Sequence, residues 1–241
     1  IQYNIKNIID CTFGFGGHNK IFQKHCDNII NIDRDVNIKE FTDCHINIDL
    51  FSNFYKYIDN RFNIDCIFAD LGLSNMQINS NRGFSFMKNS ELSMGMGCGD
   101  KTCSNILNTY SFSKLYKIFQ DGECNNPTIL ANNIIKYRLH SSFYSTNDLI
   151  KAINITKYNL LAPIFQALRI YINEELYELE QLLLLSPKYT KYLFIITFHS
   201  LEEKLVLKYC KNNIIHIFKP QMQEILNNPQ SRSSTLFCIK Y

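Results

Sequence analysis

Early in the chain, three short, largely apolar runs each end on an aspartate: Ile5–Ile9 leads into Asp10, Asn28–Ile32 into Asp33, and Ile64–Ala69 into Asp70. Runs this short, bounded by turn residues, read as strands rather than helices. A glycine cluster and a helix-type stretch around Lys20 to His25 follow the first of them. His45–Ile48 is a weaker strand, and Tyr192–Thr197 and Thr235–Ile239 are two later ones. Strands alternating with helices make an α/β fold with a doubly wound, mostly parallel sheet. In such a sheet ligands bind beyond the carboxyl ends of the strands, which is where these acids fall.

The pattern breaks after the fourth strand. Ser90 to Asp100 is rich in Met and Gly and reads as loop. Helix-type stretches then follow without a convincing strand, at Ser113–Gln120, Thr128–Leu139 and Asn147–Ile155. The expected organisation is therefore a core of residues 1–100 and 162–241 with an inserted helical domain at 101–161. Phe165, Leu168, Ile172, Leu176, Leu179 and Leu183 recur at helical spacing, predicting one long amphipathic helix that stops near Pro187.

Composition excludes several classes. No stretch approaches the ~18 apolar residues of a membrane span. The nine cysteines are scattered without a C-x-x-C pair, which argues for reduced thiols and against a disulfide framework or a zinc site. The net charge of +3 is too small to indicate nucleic acid by itself. Its distribution is more suggestive, with six basic residues against Glu224 alone from Lys204 to Tyr241, and seven against three acids from Lys101 to Leu160. The sequence opens at Ile1, so localisation is not read from its start.

Two loops carry the chemistry. Asp10-Cys-Thr-Phe-Gly-Phe-Gly16-Gly17-His18 joins a strand to a helix, where glycine lets backbone turn tightly and free N–H groups face a ligand. Asp33 stands 23 residues after Asp10, close to the ~20 at which an acid meets ribose hydroxyls. Asn19 takes the place of the third glycine of a dinucleotide loop, which favours S-adenosylmethionine over a nicotinamide cofactor. The second loop runs from Asp70-Leu-Gly-Leu-Ser74-Asn75-Met-Gln77 to Arg82-Gly-Phe84-Ser-Phe86. Its acid, amides, guanidinium and aromatics suit a flat, hydrogen-bonding substrate such as a nucleobase.

These motifs occur in order with Ile32-Asp-Arg-Asp35, Phe51-Ser52, Phe165-Gln-Ala-Leu-Arg-Ile170, Asn173-Glu-Glu-Leu176 and Phe198-His199-Ser-Leu-Glu202. Together they resemble the MraW/RsmH family, S-adenosylmethionine-dependent methyltransferases acting on the exocyclic N4 of a cytosine in small-subunit ribosomal RNA. The resemblance implies a Rossmann-like methyltransferase core with a helical insertion, that domain serving RNA recognition. It also implies that S-adenosyl-L-methionine is held by Gly16, Gly17, His18, Asp33, Phe51, Asp70 and Gln77. The implied partner is small-subunit rRNA or the assembling subunit, with no membrane and with a homodimer left open. The compartment would be a bacterial cytoplasm or an organelle. The chain departs from the family at Asn75–Asn79, which lacks a proline and an acid, and at Leu92–Met96, which lacks a charged pair.

The expected reaction is in-line transfer without a metal. Asp70 lies nearest donor and amine, with Ser74, Asn75 or a backbone carbonyl as the amine's other partner. Phe84 or Phe86 stacks on the extruded base, Arg82 meets a phosphate or braces the loop, and His199 faces the substrate or simply ends its strand. The competing readings are a feebly active relative that serves as a small-subunit assembly factor, and a nicotinamide-dependent oxidoreductase.

Overall fold

A computed structural model describes residues 3–59, 63–97, 101–155 and 157–241. Seven strands form one sheet: β1 (Asn7–Asp10), β2 (Asn28–Asp33), β3 (Asn47–Ile48), β4 (Ile64–Asp70), β5 (Thr190–Thr197), β6 (Ile214–Phe218) and β7 (Thr235–Lys240). Their order is β3-β2-β1-β4-β5-β7-β6. The first five run parallel, and β7 pairs antiparallel with both β5 and β6. The expected mixed α/β, mostly parallel sheet is thus present. β6 is an addition to it. Ile215 and Ile217 are exposed on this edge strand, so its sequence lacks the apolar/polar alternation that marks a half-buried strand.

The chain divides into two compact units, one of residues 1–72 and 176–241 and the other of residues 73–175. The sheet belongs to the first. One face carries Ile9, Ile67, Leu193 and Ile195, all fully buried against Leu179 and Leu182 of α8 (Glu175–Leu185) and Val206 of α9 (Ser200–Cys210). Burying each such side chain contributes roughly 1.5–3 kcal/mol. The other face carries Ile8, Cys66 and Phe68, with Phe22 of the short helix α1 (Asn19–Phe22) against them. Helices on both faces make the sheet doubly wound.

The second unit holds α2 (Asn75–Asn79), α3 (Cys103–Thr109), α4 (Phe112–Asp121), α5 (Pro127–Arg138), α6 (Thr146–Ile153) and α7 (Tyr158–Asn173). It includes the whole of the expected insertion 101–161. The boundary expected beside residue 100 falls at 98–100, outside the described residues. Local chemistry starts these helices where they start. Ser111 caps α4 by accepting from Lys114 N, Pro127 opens α5, and Ser145 with Asp148 forms a capping box on α6. Leu115, Ile118 and Phe119 of α4 pack with Leu130 and Ile134 of α5 and Phe165 and Leu168 of α7 in one core.

The single long helix expected through Leu183 is two helices. Glu174 takes a left-handed conformation (φ 52°) and ends α7, and α8 begins at Glu175. Apolar spacing continues across the break, so periodicity alone does not reveal it.

Candidate active site

Parallel pairing gathers the three strand-end aspartates of the sheet unit. Asp10 of β1 is level with Asn31 of β2 and Phe68 of β4. Asp33 and Asp70 lie two residues further along those strands, and a two-residue step returns a side chain to the same face. All three therefore stand on one side of the sheet at its carboxyl end.

Their surroundings disfavour negative charge. Burial pushes the Asp10 carboxyl up to about 7, with the charges of Asp33 and Asp70 adding to the shift and the Thr12 N–H opposing it. Asp70 is also pushed up to about 7, by burial first and by the Glu202 charge second. Asp33 rises to about 6 through burial, although its carboxylate accepts from the N–H groups of Gly14 at 2.8 Å and Asp35 at 2.9 Å. Asp10 Oδ2 and Asp70 Oδ1 are buried without a hydrogen-bond partner among the described residues. Such orphaned acceptors are costly unless a ligand completes them. Groups with perturbed proton affinity gathered in this way are a mark of functional sites.

The glycine loop passes over the same edge. Gly16 (φ +72°) donates its N–H to Phe13 O at 2.9 Å, and a Cβ there would lie 3.0 Å from the Phe13 ring. Gly17 has nothing within 4 Å of where a Cβ would stand, so its backbone is open to a ligand. His18 packs its ring 4.8 Å from that of Phe68 and brings Nδ1 to 3.6 Å from Asp70 Oδ2. Burial lowers the proton affinity of His18, which favours its neutral form. Thr12 Oγ1 accepts from Asp70 N at 2.6 Å, which ties loop to strand end.

The remaining expected residues of this unit lie elsewhere in the packing. Phe51 is buried in the apolar cluster with Ile9, Ile32 and Ile67. His199 is the N-cap of α9: its Nδ1 accepts from Glu202 N at 3.4 Å, and its Nε2 lies 3.2 Å from Glu202 Oε1. Glu202 is 2% exposed, and Glu202 and Glu203 face the positive end of the helix dipole.

In the helical unit the expected residues are taken up by local structure. Ser74 caps α2, and Gln77 Oε1 accepts from Ser74 N at 2.9 Å and Ser74 Oγ at 3.2 Å, closing a capping box. Asn75 is exposed at the first position of α2. Arg82 braces its loop, donating to Gly95 O at 3.4 Å and lying 5.1 Å over the Phe84 ring. Phe84 is buried in the helical core, so it lacks the open face that stacking on a base requires. Phe86 is half-buried, edge-on to Tyr158 and Phe165.

Two functional or supporting roles were missed at the sequence level. Asp10 is legible in the sequence as a strand-end acid, but its closeness to Asp33 and Asp70 depends on strand order. Asn173, 1% exposed, accepts from Met96 N at 2.9 Å and donates to Met94 O at 2.8 Å, buckling the Met-rich loop. Arg169 and Glu175 form a half-buried ion pair with two 2.9 Å approaches.

Comparison with known proteins agrees with this geometry. A family model described as the MraW methylase family matches residues 3–221. Three similar proteins are each named ribosomal RNA small subunit methyltransferase H. That of Thermosipho melanesiensis is 35% identical over 95% of this chain and 88% of its own length. That of Karelsulcia muelleri is 37% identical over 84% and 74%. That of Petrotoga mobilis is 33% identical over 100% and 97%. The chain belongs to the MraW methylase family.

Proposed function

We propose that this enzyme transfers the methyl group of S-adenosylmethionine to the exocyclic N4 amine of a cytosine in small-subunit ribosomal RNA. The observation that carries the reading is the strand-end acid cluster, whose buried orphan oxygens on Asp10 and Asp70 suit a cationic ligand. The donor set fits the cofactor: Asp33 is placed for ribose hydroxyls, Gly16 and Gly17 give a backbone cradle, and His18 closes over Asp70. When bound, S-adenosylmethionine supplies an electrophilic methyl carried on a sulfonium.

The chain's own residues then do two things. The Asp10 and Asp70 carboxylates stabilise positive charge at the strand ends, in a setting where such interactions exceed those in water. Asp70 accepts the proton that the amine must lose as the carbon–nitrogen bond forms. A carboxyl held near neutrality is matched to that task. The amine nitrogen is a weak nucleophile because its lone pair is shared with the ring, so removing its proton is worth part of the barrier.

RNA recognition is assigned to the helical unit, whose stretch from Lys101 to Leu160 carries the basic excess. Small subunits assemble in a bacterial cytoplasm or in an organelle, and either is the expected compartment. No helix among the described residues is long and apolar enough to cross a membrane. Mass spectrometry of rRNA nucleosides, with and without the active protein, tests the function. N4-methylcytidine that depends on Asp70 is the expected result. Binding to small subunits without any modification would make the protein an assembly factor instead.

A further inference from the structure

Glu202 has no part in the reaction as described so far. It is 2% exposed in the first turn of α9, where its Oε2 reaches back to accept from Phe198 N at 2.7 Å and from His199 N at 3.4 Å in the turn after β5. A capping box needs only an acceptor at this position, and glutamine serves as well as glutamate. The positive end of α9 and His199 Nε2 at 3.2 Å favour a carboxylate here, but burying a full charge remains costlier than burying an amide.

The turn also packs against the end of β4. Asp70 is level with Ile196, and Leu71 donates its N–H to Ile196 O at 2.9 Å. Gly72 (φ +97°) allows a close approach, since a Cβ there would lie 3.3 Å from the Phe198 ring. This places the anchored carboxylate within electrostatic reach of Asp70.

We infer that Glu202 is a positioning residue for proton transfer, its buried charge strengthening Asp70 as the acceptor of the amine proton. This rests on the methyltransferase reading above. The groups facing Asp70 are Asp10 from β1, His18 from the start of α1 and Glu202 from α9, with His199 beside Glu202. Burial favours the neutral form of His18, which limits how far it offsets the negative charge. A cation entering the strand ends draws Asp70 toward its ionised, less basic form, and the Glu202 charge opposes that pull. As the carbon–nitrogen bond forms, the carbon–sulfur pair leaves with sulfur. The N–H pair stays on nitrogen, and the proton passes to an Asp70 oxygen and on to solvent.

The test is the pH profile of methyl transfer to isolated small subunits by the full chain. Glu202→Gln keeps the capping acceptor and removes the charge. It should move the acidic limb of kcat to lower pH by about one unit, with KM for the subunits unchanged. Glu202→Asp keeps the charge and should leave the limb near its wild-type position while weakening the cap. An unmoved limb in Glu202→Gln, together with an inactive Asp70→Asn, overturns the role of Glu202 alone. Near-normal turnover by Asp70→Asn instead overturns the reading of Asp70 as acceptor. If Glu202→Gln does not fold, Glu202→Ser supplies the same neutral comparison, and an unmoved limb there overturns the inference equally.

Discussion

At the carboxyl ends of β1 and β4, Asp10 Oδ2 and Asp70 Oδ1 are buried with no hydrogen-bond partner among the described residues, whereas several polar groups between Ser74 and Met96 of the helical unit are engaged. Ser74 and Gln77 bind each other, Arg82 reaches Gly95, and Asn173 holds Met94 and Met96. The family motifs in both regions are equally recognisable. The strand ends keep two carboxylate oxygens short of partners, at a cost to stability, as a binding edge does. The loop of the helical unit uses its motif residues to hold one backbone shape. The local hydrogen bonds thus distinguish a region whose motif residues are left open from one whose motif residues bind each other.

The contrast is most sharply broken at Asp70. Asp70→Asn should lower methyl transfer by about 10³-fold while the protein stays folded, since general bases contribute ~10²–10⁴-fold. Tritium incorporation into small subunits measures it, and a loss under tenfold would remove Asp70 from the chemistry.

In the helical unit the large effect should be on stability. Arg169→Leu leaves the half-buried Glu175 carboxylate without this partner, with an expected cost of roughly 1–3 kcal/mol in denaturant unfolding. If stability hardly changes, the ion pair is not what anchors that unit.

Asp10 distinguishes a poised group from a structural one through pH. Its folded value of about 7 lies above the usual carboxylate range, so the folded state binds more protons than the unfolded state between about pH 4 and 7. Stability contributed by the protonated form is thus present at low pH and lost as pH rises through 7. Asp10→Asn should raise stability at pH 8 by roughly 2–4 kcal/mol, flatten the pH dependence of Tm, and weaken S-adenosylmethionine binding. Calorimetry reads all three, and an unchanged pH slope would contradict the electrostatic cost assigned to Asp10.

The smallest effect is expected at Arg82. As a loop brace, Arg82→Gln should cost no more than about 1 kcal/mol and leave the salt dependence of RNA binding unchanged. A fall of about one in the salt slope would make it a phosphate contact instead.

Much of this was legible in the sequence. Apolar runs ending on Asp10, Asp33 and Asp70 are enough to place strands and a parallel sheet, because a buried strand needs a continuous apolar run and a ligand-binding edge tolerates an acid at its end. The glycine loop and the collinear motifs point to the cofactor class. The break at Glu174 was not legible, since a left-handed residue interrupts backbone without interrupting apolar spacing. Strand β6 escaped because edge strands need not alternate.

What the sequence by itself determined was the set of elements and the inventory of chemical groups, both of which follow from local spacing. Which of those groups are spent on holding the chain together was decided only in the tertiary structure. Of Phe84 and Phe86, either of which was expected on the base, Phe84 is core, and the strand-end Asp10 stands in an acid cluster with Asp33 and Asp70. The reason is physical: burial and charge proximity arise between residues distant in the chain, and strand order alone brings Asp10, Asp33 and Asp70 to one edge.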